Sequence, residues 1–145
     1  MPPKSLRQRG FKLALLDLDD LLIPREGKKI PAEITQWVAK AHHAGLALHV
    51  ISNSKFPSRV QKACATLGIT GVAWALKPFP FAYKRAFKTF KVAKKETVVI
   101  GDQLFTDILG ANWMGIHSIL VTPMTPERRP DRKFMRWVER FFVRR

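Results

Sequence analysis

Short apolar runs alternate with helically spaced apolar residues along most of the chain. From Phe11 to Asp17 the sequence FKLALLD is nearly continuous apolar and ends abruptly in acid, the pattern of a strand covered on both faces. Pro31 then opens a helix in which Ile34, Trp37, Val38 and Ala41 recur at helical spacing, with Gly45 as its stop. Leu46–Ile51 predicts a second strand with a polar end, Ser52-Asn53-Ser54, and Phe56–Leu67 the next helix, closed by Gly68. Gly71–Leu76 predicts a third strand, and Pro78–Phe90 a helix with Phe79, Ala82, Ala86 and Phe90 on one side. A fourth strand, Thr97–Ile100, is broken by Gly101; Leu104–Trp113 reads as a helix followed by Gly115, and His117–Val121 as a fifth strand. Parallel neighbours need a crossover, and the crossover helix covers the sheet, so five such alternations imply an α/β fold with one doubly wound, parallel, five-stranded sheet.

The last stretch breaks this rhythm. Pro123, Pro126 and Pro130 make a loop or hinge, and in residues 127–145 Phe134, Trp137, Val138 and Phe141 form an apolar stripe. Arg132, Lys133, Arg136, Arg140 and Arg144 fall largely off that stripe. The expectation is therefore one domain over residues 1–126 and a basic amphipathic helix over 127–145. Such a stripe docks on its own domain, enters a membrane interface or clamps nucleic acid.

Composition narrows the partners. The 145 residues carry 26 Lys plus Arg against 11 Asp plus Glu, a net charge of +15, with 46% hydrophobic residues. The apolar fraction suits an ordinary folded domain, whereas the charge surplus governs association and points to an anionic partner: nucleic acid, an anionic lipid surface or a phosphorylated substrate. No apolar run approaches a membrane span and residues 1–12 lack the apolar centre of a signal peptide, so the expected compartment is the cytoplasm, with peripheral membrane attachment through the tail. Cys64 has no partner for an intrachain disulfide and reads as a small buried hydrophobe. His42, His43, His49 and His117 show no metal-ligand spacing, and Trp37 and Trp113 fall on apolar helix faces that predict core positions.

In doubly wound sheets ligands gather beyond the carboxyl ends of the strands. Asp17, Asp19 and Asp20 follow the first predicted strand, Ser52 and Asn53 the second, Lys77 the third, and Asp102 and Asp107 the fourth. Five of the eleven acids thus share one rim of a strongly basic protein. Clustered carboxylates repel unless a cation or proton intervenes, and an all-oxygen site suits Mg²⁺, which keeps waters for a substrate's phosphate. Lys77 and the Ser52 hydroxyl can hold phosphoryl oxygens. A carboxylate in line with phosphorus can act as nucleophile while a second, two residues on, serves as general acid and base; Asp17 and Asp19 have this spacing. Asp20, by default, reads as a solvated loop acid.

The strings LLDLDDLL, ISNS, LKPF and IGDQLFTDILGAN, in that order, resemble the four motifs of haloacid dehalogenase (HAD) superfamily phosphatases. The GDQLFTD string and the overall brevity look most like the class IIIA branch typified by YqeG, which includes phosphatidylglycerophosphate phosphatases. The resemblance implies that Asp17 is the nucleophile and a magnesium ligand, and that Asp19 is the general acid/base and lends its backbone carbonyl to the metal. It further implies that Ser52, with Asn53 alongside, binds the phosphoryl group, that Lys77 stabilises it, and that Asp102 completes the metal shell. Asp107 would act through water or by orienting Lys77. One departure stands out: the family's first motif commonly reads Asp-x-Asp-x-Thr, and here Leu21 replaces the threonine that props the loop. Room for a cap domain is also missing, since Leu21 to Pro31 allows only a short flap and Ser54 to Lys77 only one helix and one strand. An open, capless site suits a large phosphorylated substrate such as a lipid headgroup. The competing expectation is an RNA- or ribosome-associated protein on this scaffold with weak or lost catalysis. A phospho-accepting receiver domain fits less well, because its lysine follows the fifth strand.

Overall fold

The computed structural model describes residues 2–122 apart from residues 26 and 28; the 127–145 helix and the boundary at residue 126 lie outside the described residues. The element order is α1 (Pro3–Gln8), β1 (Leu13–Leu16), α2 (Ala32–His43), β2 (Ala47–Ile51), α3 (Pro57–Leu67), β3 (Thr70–Val72), α4 (Phe81–Phe90), β4 (Thr97–Gly101), α5 (Leu109–Met114) and β5 (His117–Leu120). A 3₁₀ turn, Lys94–Glu96, leads into β4, and a π-helical turn, Leu104–Ile108, leads into α5. The strands form one parallel sheet in the order β3-β2-β1-β4-β5, as the alternation predicts.

The central strand explains the apolar run. All four residues of β1 are buried, and successive side chains serve opposite faces. Ala14 and Leu16 join the core beneath α1, α2 and α3, with Val38, Ala41, Val60 and Cys64, whereas Leu13 and Leu15 join the core beneath α4 and α5, with Tyr83, Ala86, Ala111 and Met114. The helix ends follow the sequence signals: α3 closes on Gly68, whose φ of 68° is the left-handed conformation that glycine adopts without a Cβ penalty.

Four local features differ from the sequence reading. The helix α1 was not legible, because six residues with one buried leucine, Leu6, show no periodicity. Strand β3 stops at Val72, since Trp74 and Leu76 adopt φ of 52° and 57° and turn the chain out of the sheet. Helix α4 begins at Phe81 rather than Pro78, because Lys77 and Phe79 each precede a proline, a position disfavoured for helix. Trp113 is 63% exposed and Phe79 is 54% exposed, so neither is a core residue, whereas Trp37 is half-buried against the core and Cys64 is buried. No helix among the described residues is long and apolar enough to cross a membrane.

Candidate active site

The chain leaves β1 at Asp17, whose N–H donates to the Ile100 carbonyl of β4 at 3.1 Å, so the acid starts where two central strands end. The loop after β3 delivers Lys77 to the same point. Its Nζ lies 3.1 Å from Asp17 Oδ1 and 2.5 Å from Asp107 Oδ1, and the side chain is almost fully buried. Burial works against the Lys77 ammonium, but the Asp17 and Asp107 carboxylates more than offset it and hold the pKa above the ordinary lysine range. Burial pushes the Asp107 carboxyl up to about 6 against the pull of Lys77.

Asn53 sets where Lys77 stands. Its Oδ1 accepts from the Lys77 N–H at 2.8 Å and its Nδ2 donates to the Lys77 carbonyl at 3.0 Å. The Asn53 carboxamide, expected beside the phosphate, is thus turned to the lysine backbone. Ser52 is buried; its Oγ accepts from the Ser54 N–H at 3.1 Å, which leaves the hydroxyl proton to donate. Gly101 is required for a different reason: a Cβ there would collide with the Asp107 carboxylate, whose Oδ2 accepts from the Gln103 N–H at 3.3 Å.

One carboxylate oxygen each from Asp17, Asp102 and Asp107 lies within 4.8 Å of the others, with Asp102 and Asp107 buried. Among the described residues three carboxylates and one ammonium meet in a nearly dry site, a crowding of like charge that a cation would relieve. The donors are all hard oxygens, so the residues present fit Mg²⁺.

Asp19 and Asp20 belong to the flap that follows. Asp19 Oδ1 receives both Arg59 Nε, at 3.1 Å, and Arg59 Nη2, at 2.9 Å. The same guanidinium donates to the flap carbonyls of Pro24, Arg25 and Gly27 at 2.9–3.1 Å. Asp20 is not a solvated loop acid: it is 2% exposed, has a φ of 61°, and accepts from the Arg25 N–H at 3.1 Å and Arg25 Nε at 3.2 Å. Leu21, in the place of the family's threonine, packs against the core instead. The flap is therefore braced by two arginines and an apolar contact rather than by a hydroxyl.

Sequence reading missed Arg59, Arg25 and Tyr83. Arg59 carried a signal: a cation in the first turn of a helix opposes the helix dipole, so such a residue is retained for another contact. Tyr83 carried none. It is fully buried with its ring against Gly110, its hydroxyl has no hydrogen-bond partner among the described residues, and burial beside the acids raises its pKa to about 12. Above the floor opens a cavity of ≈ 470 Å³, lined by Asp17, Asp19, Ser52 and Lys77 with Arg25, Lys55 and Phe56 on its walls.

Comparison with known proteins agrees with this architecture. A HAD-hydrolase-like family model matches residues 75–132. Over 138 residues the chain is 34% identical to the probable phosphatase YqeG of Bacillus subtilis (strain 168), covering 95% of this chain and 80% of that protein. Among solved structures, an uncharacterized protein from Listeria monocytogenes serotype 4b superposes at a TM-score of 0.66 with 18% identity, over 83% of this chain and 85% of that one. The 3-deoxy-D-manno-octulosonate 8-phosphate phosphatase of Moraxella catarrhalis, solved with a magnesium ion, a phosphate ion and a KDO molecule, superposes at 0.55 with 19% identity, over 70% of this chain and 64% of that one. The structural likenesses establish the fold, and the extent of identity to YqeG establishes the lineage: the chain belongs to the haloacid dehalogenase superfamily, in its YqeG-like phosphatase branch.

Proposed function

We propose that the protein is a Mg²⁺-dependent phosphomonoester hydrolase that works through an aspartyl-phosphate on Asp17. The observation that carries this reading is the convergence of Asp17, Lys77 and two further carboxylates at the ends of adjacent strands. Asp17 attacks phosphorus, and the bond to the leaving oxygen breaks as Asp19 gives that oxygen a proton. Water then attacks the phosphorus of the aspartyl-phosphate, Asp19 takes its proton, and Asp17 is released with inorganic phosphate. Both Arg59 bonds fall on Asp19 Oδ1, so Oδ2 is the oxygen that exchanges the proton.

Lys77 and the Ser52 hydroxyl hold the phosphoryl oxygens, and Asn53 acts by fixing Lys77. Asp17, Asp102 and the Asp19 backbone carbonyl would hold the metal, with Asp107 acting through water or through Lys77. Bound Mg²⁺ supplies charge neutralisation at the carboxylates and at the transferring phosphoryl group. The flap is short and the cavity open, which favours a large anionic phosphate such as phosphatidylglycerophosphate over an enclosed metabolite. The rival reading, an RNA- or ribosome-bound scaffold with demoted catalysis, drew on the net charge of +15 and on Leu21; the Arg25 and Arg59 braces answer the second of these motives.

The test is hydrolysis of a generic aryl phosphate by the full chain. Release should require Mg²⁺, stop with chelator, return on adding the ion back, and fall at least about 10³-fold in Asp17→Asn. Release that persists in Asp17→Asn, or none at all from the wild type with Mg²⁺, would defeat the reading.

A further inference from the structure

Along the edge of the sheet on which the site opens, the chain exposes large apolar side chains, of which Phe56 also lines the cavity. Phe56 is 68% exposed, Trp74 55%, Leu76 54%, Phe79 54% and Phe81 64%. All five follow strands β2 and β3, so the parallel topology puts them at the carboxyl edge of the sheet, where Asp17 and Lys77 stand. Backbone bonds tie the two loops into one rim: the Trp74 N–H donates to the Ser54 carbonyl at 3.1 Å and the Ala75 N–H to that of Ser52 at 2.9 Å.

Folding does not account for these residues. Trp74 and Leu76 have left-handed φ of 52° and 57°, a conformation that glycine and asparagine adopt readily and bulky side chains adopt at a cost. The chain nonetheless places a tryptophan and a leucine there and points both away from the core. Strain and apolar exposure coincide at the same two positions, which is the signature of residues kept for something outside the fold.

Charge says what that something carries. Residues 34–95, which contain the whole rim, include eleven lysines and arginines and no aspartate or glutamate. Lys55, Lys84 and Arg85 are exposed within or next to the rim. A second copy of this chain would set like charge against like, and the net charge of +15 opposes that. Apolar tips flanked by lysine and arginine are the elements of an interfacial membrane contact, in which the tips enter the acyl boundary while the cations meet anionic headgroups. Nucleic acid would use aromatic faces as stacking platforms, and that leaves Leu76 without a role.

We infer that the rim formed by Phe56, Trp74, Leu76, Phe79 and Phe81 docks on an anionic bilayer surface, with the mouth of the cavity facing the headgroups. The docking is separate from the reaction proposed above and holds whether or not the site turns over. Its test is flotation of the full chain with phosphatidylcholine vesicles with and without phosphatidylglycerol. The wild type should float with the anionic vesicles only. Trp74→Asn combined with Leu76→Asn suits the left-handed backbone, so it should fold and keep wild-type hydrolysis of a soluble aryl phosphate while losing at least about tenfold in vesicle partition. Phe79→Ser should lose in the same direction, and Trp113→Ser, exposed at the other edge of the sheet, should match the wild type. Equal flotation of the Trp74/Leu76 variant and the wild type would overturn the inference, as would no preference for anionic vesicles. Loss of single-stranded RNA binding with vesicle partition unchanged would assign the rim to nucleic acid instead. Failure of the aryl phosphate assay alone would count against the proposed reaction and leave the docking standing.

Discussion

On the floor of the cavity Asp17 and Asp107 share one buried ammonium and lie close to a third carboxylate, Asp102, whereas on the flap each acid has its own arginine: Asp19 with Arg59 and Asp20 with Arg25. The flap is balanced charge for charge and partly solvated, so it keeps its shape without a cation. Among the described residues the floor gathers three carboxylates around a nearly dry point, an arrangement suited to a divalent cation and to a phosphoryl group that Lys77 can share. Crowded buried carboxylates favour binding of a cation and a charged substrate, whereas the paired acids shape the flap and, in the proposed reaction, leave Asp19 Oδ2 for proton exchange. In this chain the two lie two residues apart, at Asp17 and Asp19.

The largest effect that distinguishes the two regions is expected from Lys77→Met. It leaves the floor carboxylates without their buried counter-charge and should cost about 3–5 kcal/mol of stability, read as a lower Tm, together with nearly all hydrolysis. Next comes Asp102→Asn, which removes charge from the metal-facing set. It should lower turnover at least about a hundredfold and abolish the rise in Tm that Mg²⁺ gives the wild type through linkage. Unchanged Mg²⁺ stabilisation in this variant would erase the contrast between floor and flap.

Arg59→Ala should act through Asp19 and the flap. A loss of about tenfold in kcat is expected with alkyl phosphates, whose leaving oxygen needs a proton, and little loss with aryl phosphates, whose leaving group does not. Arg59→Lys should recover only part of it, since an ammonium cannot reproduce a fork that serves one carboxylate and three carbonyls. An equal loss on both substrate classes would mean that Arg59 matters only for the fold.

The smallest effect lies outside both regions and serves as their control. His49, beside Phe90 and 2.7 Å from Thr70 Oγ1, has its pKa lowered from 6.5 by burial. A depressed folded-state pKa means that the neutral ring contributes stability above pH 6.5, and that this contribution is lost as pH falls through the folded value. Tm should therefore decline slightly faster on acidification in the wild type than in His49→Gln.

The floor was legible in the sequence because strand ends, unlike side-chain partners, can be placed from periodicity. FKLALLD and TVVIGD each announce a buried strand and the acid that follows it, and the parallel sheet then brings Asp17 and Asp102 together without further information. The flap's bracing was not legible. Arg59 meets Asp19 across forty residues through a helix orientation that no local pattern encodes, and Asp20 took a buried place against the general tendency of loop acids. The exposed positions of Trp113 and Phe79 escaped for a related reason: helical spacing says which residues share a face, and the ends of that face still depend on where the helix starts and stops.

The proposed reaction requires that Asp17 become phosphorylated. Mixing the full chain with substrate and Mg²⁺, quenching in acid and reducing with borohydride converts an aspartyl-phosphate to homoserine, which peptide mass spectrometry locates. Homoserine is expected at position 17 and at no other aspartate, dependent on substrate and absent in Asp17→Asn. Hydrolysis that proceeds with position 17 unmodified, or with the modification at Asp19, Asp102 or Asp107, would contradict it.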